Sequence, residues 1–315
     1  VYKRQSIESI LQQSYPDFTL VITDDCSNDD TVSVIQGIDD ERIVLLRNHE
    51  NVGPAIIRNN MLDYCHERGF EYMALMDADD ICFPTRLEKQ LAILRNDASL
   101  SAVGSGMEIE KDGGAWLTHP THEQLQVETI FANPIPTPMS LFRVSRLKEF
   151  DLIWEPAMVP CDDYHFWYKF LFKHGLRAAS TGDIQGIYKH SPDGVSHGQG
   201  LEKQERMDAA VKQLILADLG IVTSQEQAYR FAKIALRRRV DFLDVAAFTC
   251  IGRQLMEQHS DIVDRGTLRA NIEERANWIL SHIPKYDLVS RSRLYRQCLP
   301  GRSLLHDVRK LVHRN

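Results

Sequence analysis

The chain predicts an α/β protein, a sheet flanked by helices over residues 1–200 with a mostly helical region over 201–315. Three observations predict it. Apolar strand-like runs and periodic helix-like runs alternate at about 25-residue intervals as far as residue 95, the pattern of βαβ units and a parallel sheet. Two of those runs end in carboxylates, Asp24-Asp25 and Asp77-Ala78-Asp79-Asp80, and open α/β sheets bind their ligands beyond the carboxyl ends of strands. From residue 201 the apolar positions recur at helical spacing, and the Gly-rich stretch Gly194 to Gly200 sets a boundary near 200.

Each element has a local reason. Val1 to Gln5 carry no clear signal. Ser6 to Gln13 read as a helix through Ile7, Ile10 and Leu11, ended by Tyr15-Pro16-Asp17. Phe18 to Ile22 form a short strand leading to Asp24-Asp25. Ser27-Asn28-Asp29-Asp30-Thr31 is turn and N-cap chemistry before a helix through Ile35. Ile43 to Leu46 are a second strand. Asn51-Val52-Gly53-Pro54 opens a helix that Gly69 stops. Tyr72 to Met76 are the strand that delivers the acidic cluster, and Pro84 opens a helix to Arg95. Beyond it come a strand over 101–110, a Gly113-Gly114 turn, a helix near 122–131 and a proline-rich passage (Pro134, Pro136, Pro138). A strand near 139–142, an aromatic helix from about Asp162 to His174 and a strand from Gln185 to His190 complete the first region.

Composition narrows the class. Hydrophobic content of 43% and charged content of 26% describe a globular chain with a real core. No run approaches the roughly 18 apolar residues of a membrane span, and the first residues lack the pattern of a signal peptide. Six scattered cysteines without paired metal spacing read as reduced thiols, so a cytoplasmic location is expected. The net charge of −7 is unevenly spread: residues 1–200 hold 17 Lys and Arg against 30 Asp and Glu, residues 201–315 hold 20 against 14. No nucleic-acid partner is expected. The basic region, densest at Arg237-Arg238-Arg239 and from Arg291 to Arg314, is either an ordinary solvated helical surface or a peripheral contact with an anionic membrane face.

Five constellations carry chemistry. Two carboxylates about 4 Å apart repel by roughly 4 kcal/mol at an effective dielectric of 20. Asp77, Asp79 and Asp80 therefore either splay into water or gather round a hard cation such as Mg2+ or Mn2+. Asp24 and Asp25 suit a base imide or ribose hydroxyls, or merely cap the next helix. Arg58, behind Asn51 and Gly53, offers a fork for a phosphate or base carbonyl, or is a surface arginine. Asp162 and Asp163 open the aromatic helix, as caps or as a general base. Tyr188-Lys189-His190 ends a strand with an imidazole that either completes a metal shell or is simply structural.

Taken together, these phrases resemble the family 2 glycosyltransferases of GT-A fold. The matching residues run from Glu8-Ser9-Ile10-Leu11-Gln12-Gln13 through Asp24-Asp25-Cys26-Ser27, Asn51-Val52-Gly53 with Arg58-Asn59, and Asp77-Ala78-Asp79-Asp80. They continue through Pro84-x-Arg86-Leu87-Glu88-x-Gln90, Asn133-Pro134-Ile135 and Phe142-Arg143 to Asp162-Asp163-Tyr164-His165-Phe166-Trp167 and Tyr188-Lys189-His190. The match covers about residues 6–200, and its specificity lies in the ordered set. The resemblance implies a mixed Rossmann-like sheet and an inverting transfer of a sugar from a nucleotide-diphosphate donor, usually UDP-linked, to a hydroxyl of a glycan or lipid-linked acceptor, as in cell-surface polysaccharide or glycolipid synthesis. It implies that Asp25, with Asp24 beside it, and Arg58 bind nucleotide, and that Asp77 and Ala78 border the ribose and diphosphate. Asp79 would ligate Mn2+ or Mg2+, with Asp77 touching the ribose or metal shell, and His190 would close over the diphosphate beside the metal. An acid at 162–163 would be the base; the family usually has Glu-Asp there, which leaves the choice between Asp162 and Asp163 open. The family also opens with a hydrophobic strand that Val1-Tyr2-Lys3-Arg4-Gln5 do not resemble, so a sheet lacking its first strand, and poor donor binding by these 315 residues, are expected. The alternative is a non-catalytic nucleotide- or glycan-binding protein on the same fold. A phosphatase with an aspartyl nucleophile is disfavoured, because Asp77 follows the third strand with no Lys or Thr signature behind it.

Overall fold

A computed structural model describes residues 2–111, 113–189, 201–238, 241–258 and 263–282. The chain divides into two compact units, Val1–Leu125 with Asn133–Gly200, and Gln126–Ala132 with Leu201–Asn315.

In the first unit, helix α1 (Tyr2–Leu11) begins four residues before the expected start, with Lys3 reaching Asp29 at 3.2 Å. Strand β1 (Leu20–Asp24), helix α2 (Thr31–Gln36), strand β2 (Ile43–Arg47) and helix α3 (Pro54–Glu67) follow as the alternation predicts. Gly69, at φ +73°, takes the left-handed conformation that ends α3. Strand β3 (Tyr72–Ala74) is shorter than expected, and the acidic cluster sits in the turn beyond it. Strand β4 (Ile81–Cys82) was not expected, and helix α4 (Arg86–Asn96) starts two residues after Pro84. Strands β5 (Leu100–Ile109) and β6 (Gly114–Trp116) form a hairpin. Helix α5 (His122–Phe131), strand β7 (Leu141–Arg143) and helix α6 (Val144–Glu149) lead to helix α7 (Asp162–Tyr168), which runs into a π-helical turn at Lys169–Lys173. Strand β8 (Arg177–Tyr188) starts eight residues before the expected position; Arg177 and Asp183, polar positions within it, hid its length.

The expectation of a parallel sheet needs correction. β1 and β2 pair in parallel as a sheet of their own. The larger sheet has the order β3-β7-β5-β8-β4, with β6 beside β5. Only its β5–β8 pairing is parallel; β3–β7, β5–β7, β4–β8 and β5–β6 are antiparallel. The mixed sheet that the resemblance implied is the one found. No strand among the described residues joins β1 to the larger sheet, and the apolar residues of β1 and β2 stay only half-buried.

The main core lies where Phe142 of β7 meets Trp154 and the aromatic face of α7. Trp154 and Phe166 stack with centroids 4.1 Å apart and planes 3° from parallel, and Phe142 meets both edge-on. A second cluster packs Leu91 and Leu94 of α4 on Leu100 and Val103 of β5. Buried Arg86 donates to the carbonyls of Leu75 (2.8 Å) and Ser140 (3.2 Å) and to Gln90 Oε1 (3.2 Å). Gln90 Nε2 in turn donates to Met139 O at 2.7 Å. These bonds fix the chain just ahead of the acidic turn.

The second unit includes helices α8 (Leu201–Asp218), α9 (Gln225–Ala235), α10 (Phe242–Gln258) and α11 (Arg265–His282). Ser224 and Gln227 form a capping box that starts α9. Fully buried Asp244 accepts from Lys233 (2.5 Å) and Arg230 (3.1 Å), and buried Lys212 pairs with Asp208. Arg237 pairs with Glu274 and Arg238 with Glu205, so two arginines of the basic cluster turn to carboxylates of their own unit; Arg239 and residues 283–315 lie outside the described residues. Among the described residues no helix is long and apolar enough to cross a membrane. The described cysteines, 26, 65, 82, 161 and 250, are all unbridged, as expected.

Candidate functional site

The site grows from the carboxyl end of β1. Asp25 Oδ1 accepts from Asn48 Nδ2 (2.8 Å) and the Val52 amide (3.0 Å), and Oδ2 accepts from the Gly53 amide (2.9 Å). Partial burial raises its pKa, but these three donors outweigh it and hold the carboxyl below its ordinary range. Gly53 adopts φ +83°, which an L side chain resists, and so turns its N–H to Asp25. Asp25 thereby fixes the start of α3. Asp24, beside it, turns inward: it is 3% exposed, its oxygens accept no hydrogen bond, and Arg47 Nε stands 3.9 Å away.

Helix α3 carries Arg58 and Asn59 toward the aromatic core. Asn59 exchanges two hydrogen bonds with the backbone of Trp154, at 2.8 and 2.9 Å. Trp154 stacks on Phe166 of α7, so α3 and the first turn of α7 are held together. Arg58 then spans two acidic segments. Its Nη1 donates to Asp162 Oδ2 at 2.7 Å, and its Nη2 lies 3.7 Å from Asp77 Oδ1. The guanidinium is mostly buried, and the neighbouring carboxylates raise its pKa against the opposing effect of burial.

The acidic turn is closed by the Asp80 amide donating to Asp77 O at 3.3 Å. Asp77 is about half exposed, Ala78 is exposed, and Asp79 is partly buried. Burial, then the charge of Asp77, raises the pKa of Asp79. Asp80 is fully buried; Oδ1 accepts from the Lys189 amide at 3.0 Å, and Oδ2 has no partner. Burial first and Asp77 second push its carboxyl up to about 8. Opposite, burial raises the pKa of Asp162 while Arg58 opposes it. Asp163 accepts from Asn133 Nδ2 (2.8 Å) and the Tyr164 amide (2.7 Å). Burial and the charge of Asp162 push Asp163 up to about 6, against Arg58.

Of the residues that the sequence singles out, Asp77, Asp79, Asp162, Asp163 and Arg58 come together in one electrostatic cluster. Asp25 is bonded to the start of α3, the helix that bears Arg58, and not to the cluster itself; Asp24 does not present its side chain to it, and His190 lies outside the described residues. The cluster's donors fit a hard divalent ion. They are carboxylate oxygens, one of them, Asp80 Oδ2, buried and unpartnered. Among the described residues no group of three or more His, Cys, Asp or Glu side chains could hold an ion by itself, whereas Mg2+ and Mn2+ are commonly held by one or two carboxylates plus substrate phosphates. Sequence reasoning gave no role to Asn59, Arg86, Gln90 and Asn133. All four sit inside the ordered phrases, but polar residues whose partners are far away in the chain leave no local periodicity.

Comparison with known proteins bears on the family and the fold. The family model described as Glycosyl transferase family 2 matches residues 2–162. An uncharacterized glycosyltransferase of Haemophilus influenzae is 31% identical over 180 residues, 53% of this chain and 55% of the relative. The chain thus spans about half the length of that relative. A second relative, the Escherichia coli UDP-Glc:alpha-D-GlcNAc-diphosphoundecaprenol beta-1,3-glucosyltransferase WfgD, is 26% identical over 204 residues, 64% of this chain and 78% of the relative. Among solved structures, Staphylococcus aureus TarS 1–349 in complex with UDP-GlcNAc superposes with a TM-score of 0.56 at 16% identity, covering 94% of this chain and 88% of TarS 1–349.

Proposed function

Because the chain belongs to glycosyl transferase family 2 and has the GT-A fold with a helical C-terminal region, we propose that it is an inverting, metal-dependent glycosyltransferase. It moves a sugar from a nucleotide-diphosphate donor, UDP-linked, to a hydroxyl of a glycan or lipid-linked acceptor. The UDP-glucose and diphosphoundecaprenol in the name of the E. coli relative support this donor and acceptor class, and such an acceptor brings the protein to the cytoplasmic face of a membrane. The observation that carries the reading is Arg58, whose guanidinium joins Asp77 of the acidic turn to Asp162 beside the base.

Each carboxylate then has a role. Asp25 anchors the loop against which the base and ribose lie. Asp79 and Asp77 would hold Mn2+ or Mg2+ together with the donor diphosphate, where the ion would supply positive charge to the leaving diphosphate. Asp162 is spent on Arg58, so Asp163 is the general base. It takes the proton of the acceptor hydroxyl as that oxygen bonds to the anomeric carbon from the face opposite the diphosphate. The bond from the anomeric carbon to the diphosphate oxygen breaks, the electron pair leaves with the nucleoside diphosphate, and the configuration inverts. Raised to about 6, Asp163 is a stronger base than an ordinary carboxylate and is still ionised at neutral pH.

The test is a thermal-shift screen of nucleotide sugars with Mn2+, followed by NMR of the anomeric proton in the product. An inverted product lost in Asp163→Asn supports the reading. Donor binding with neither transfer nor hydrolysis favours the non-catalytic alternative, to which the separation of β1–β2 from the larger sheet lends some support.

A further inference from the structure

Asn133 stands two residues beyond α5 and belongs to the same compact unit as Asp163. Its Nδ2 donates to Asp163 Oδ2 at 2.8 Å, while Asp163 Oδ1 takes the Tyr164 amide at 2.7 Å. Each oxygen of that carboxyl therefore has one fixed donor, and its plane is set. Asn133 Oδ1 is buried and unpartnered. The segment that follows the amide is held by packing.

That packing is firm. Pro134 and Pro136 restrict the backbone on either side of Ile135, and the Met139 and Ser140 amides close turns on Pro136 O and Thr137 O. Ile135 is fully buried against Gly104 of β5, where an added Cβ would lie 2.5 Å from Ile135 Cγ2. A larger residue at 104 would displace the Ile135 side chain and with it the segment that bears Asn133.

We propose that Asn133 is a positioning residue for Asp163, orienting one carboxylate oxygen and favouring the ionised form that receives the acceptor's proton. The proposal rests on the reading of Asp163 as the base. Asp162 and Asp77 face Asp163 with like charge, and Arg58 and the Tyr164 amide face it with stabilising charge or dipole. An N–H donated to a carboxylate lowers its pKa, so loss of the Asn133 amide must raise it.

The experiment is a 13C NMR titration of protein labelled at aspartate carboxyl carbons, with the Asp163 signal assigned by its loss in Asp163→Asn. Asn133→Ala should raise the Asp163 pKa by about 1–2 units, the size expected for one charge-assisted hydrogen bond. Isosteric Asn133→Asp, which adds a like charge in place of the donor, should raise it further. With UDP-glucose and Mn2+, the acidic limb of the turnover pH profile should move upward by the same interval while KM for UDP-glucose holds. An Asp163 pKa unmoved within about 0.2 unit in Asn133→Asp overturns the proposal. Undiminished turnover in Asp163→Asn overturns the base assignment instead and leaves the Asn133–Asp163 coupling measured on its own.

Discussion

Arg58 Nη1 lies 2.7 Å from Asp162 Oδ2, across 104 residues of sequence, and the same guanidinium reaches toward Asp77. Asp162 is buried, so removing Arg58 leaves an uncompensated carboxylate inside the fold. Arg58→Ala should cost about 3–5 kcal/mol in chemical denaturation. In the Asp162→Asn background the same change should cost about 1–3 kcal/mol less, since the two residues act as one unit. Equal losses in both backgrounds would show that the pair is not coupled.

The pH dependence of activity should report Asp163. The base must be ionised to accept a proton, and its carboxyl sits near 6. Turnover should therefore fall about tenfold per unit below pH 6 and level off above it. Asp163→Asn should lower turnover by about 10²–10⁴-fold and abolish this limb. A limb near pH 4 would mean that the base is an unperturbed carboxylate.

The same raised pKa makes a stability prediction of opposite sense. Folding lifts Asp163 from its ordinary 3.8 to about 6, so the folded state binds its proton more tightly than the unfolded state. The proton-linked stability is complete below about pH 4 and is lost as pH rises to 6. Asp163→Asn should gain about 3 kcal/mol at pH 7.5 and almost nothing at pH 4, read from urea melts at both values. A gain that is the same at both would assign the effect to packing.

Gly53 couples backbone conformation to Asp25. At φ +83° an alanine is strained, and its amide would turn away from Asp25 Oδ2. Gly53→Ala should destabilise the protein by about 1–3 kcal/mol and weaken UDP binding in calorimetry, as should Asp25→Ala. Unaltered UDP affinity in both variants would remove the 25–53 clamp from the nucleotide site.

The proposed metal role can be tested apart from that of Asp25. Asp79→Ala should lower UDP affinity at least about tenfold in the presence of Mn2+ and leave the weaker affinity measured in EDTA unchanged. Equal affinity with and without Mn2+ in the unaltered protein would remove the ion from donor binding.

Much of this was legible locally. Apart from β4, the β-strands and helices through residue 95 follow from apolar period, prolines and glycines, and the carboxylates after β1 and β3 single out the candidate site without any contact being known. The two-residue strand β4, the first eight residues of β8 and the antiparallel majority of the larger sheet were not legible. A two-residue strand has no period to read, and strand direction depends on which neighbour each strand finds.

Alone, the order of residues determined the α/β class, the helical second region and the set of acids from which the chemistry must be drawn, because turn chemistry and side-chain periodicity act between near neighbours. Only tertiary structure gave those acids different surroundings. Asp162 and Asp163 are adjacent and of one type; what separates them is Arg58 on α3 for one and Asn133 beyond α5 for the other. Burial and charge pairing arise between segments scores of residues apart, and only packing brings those segments within hydrogen-bond range.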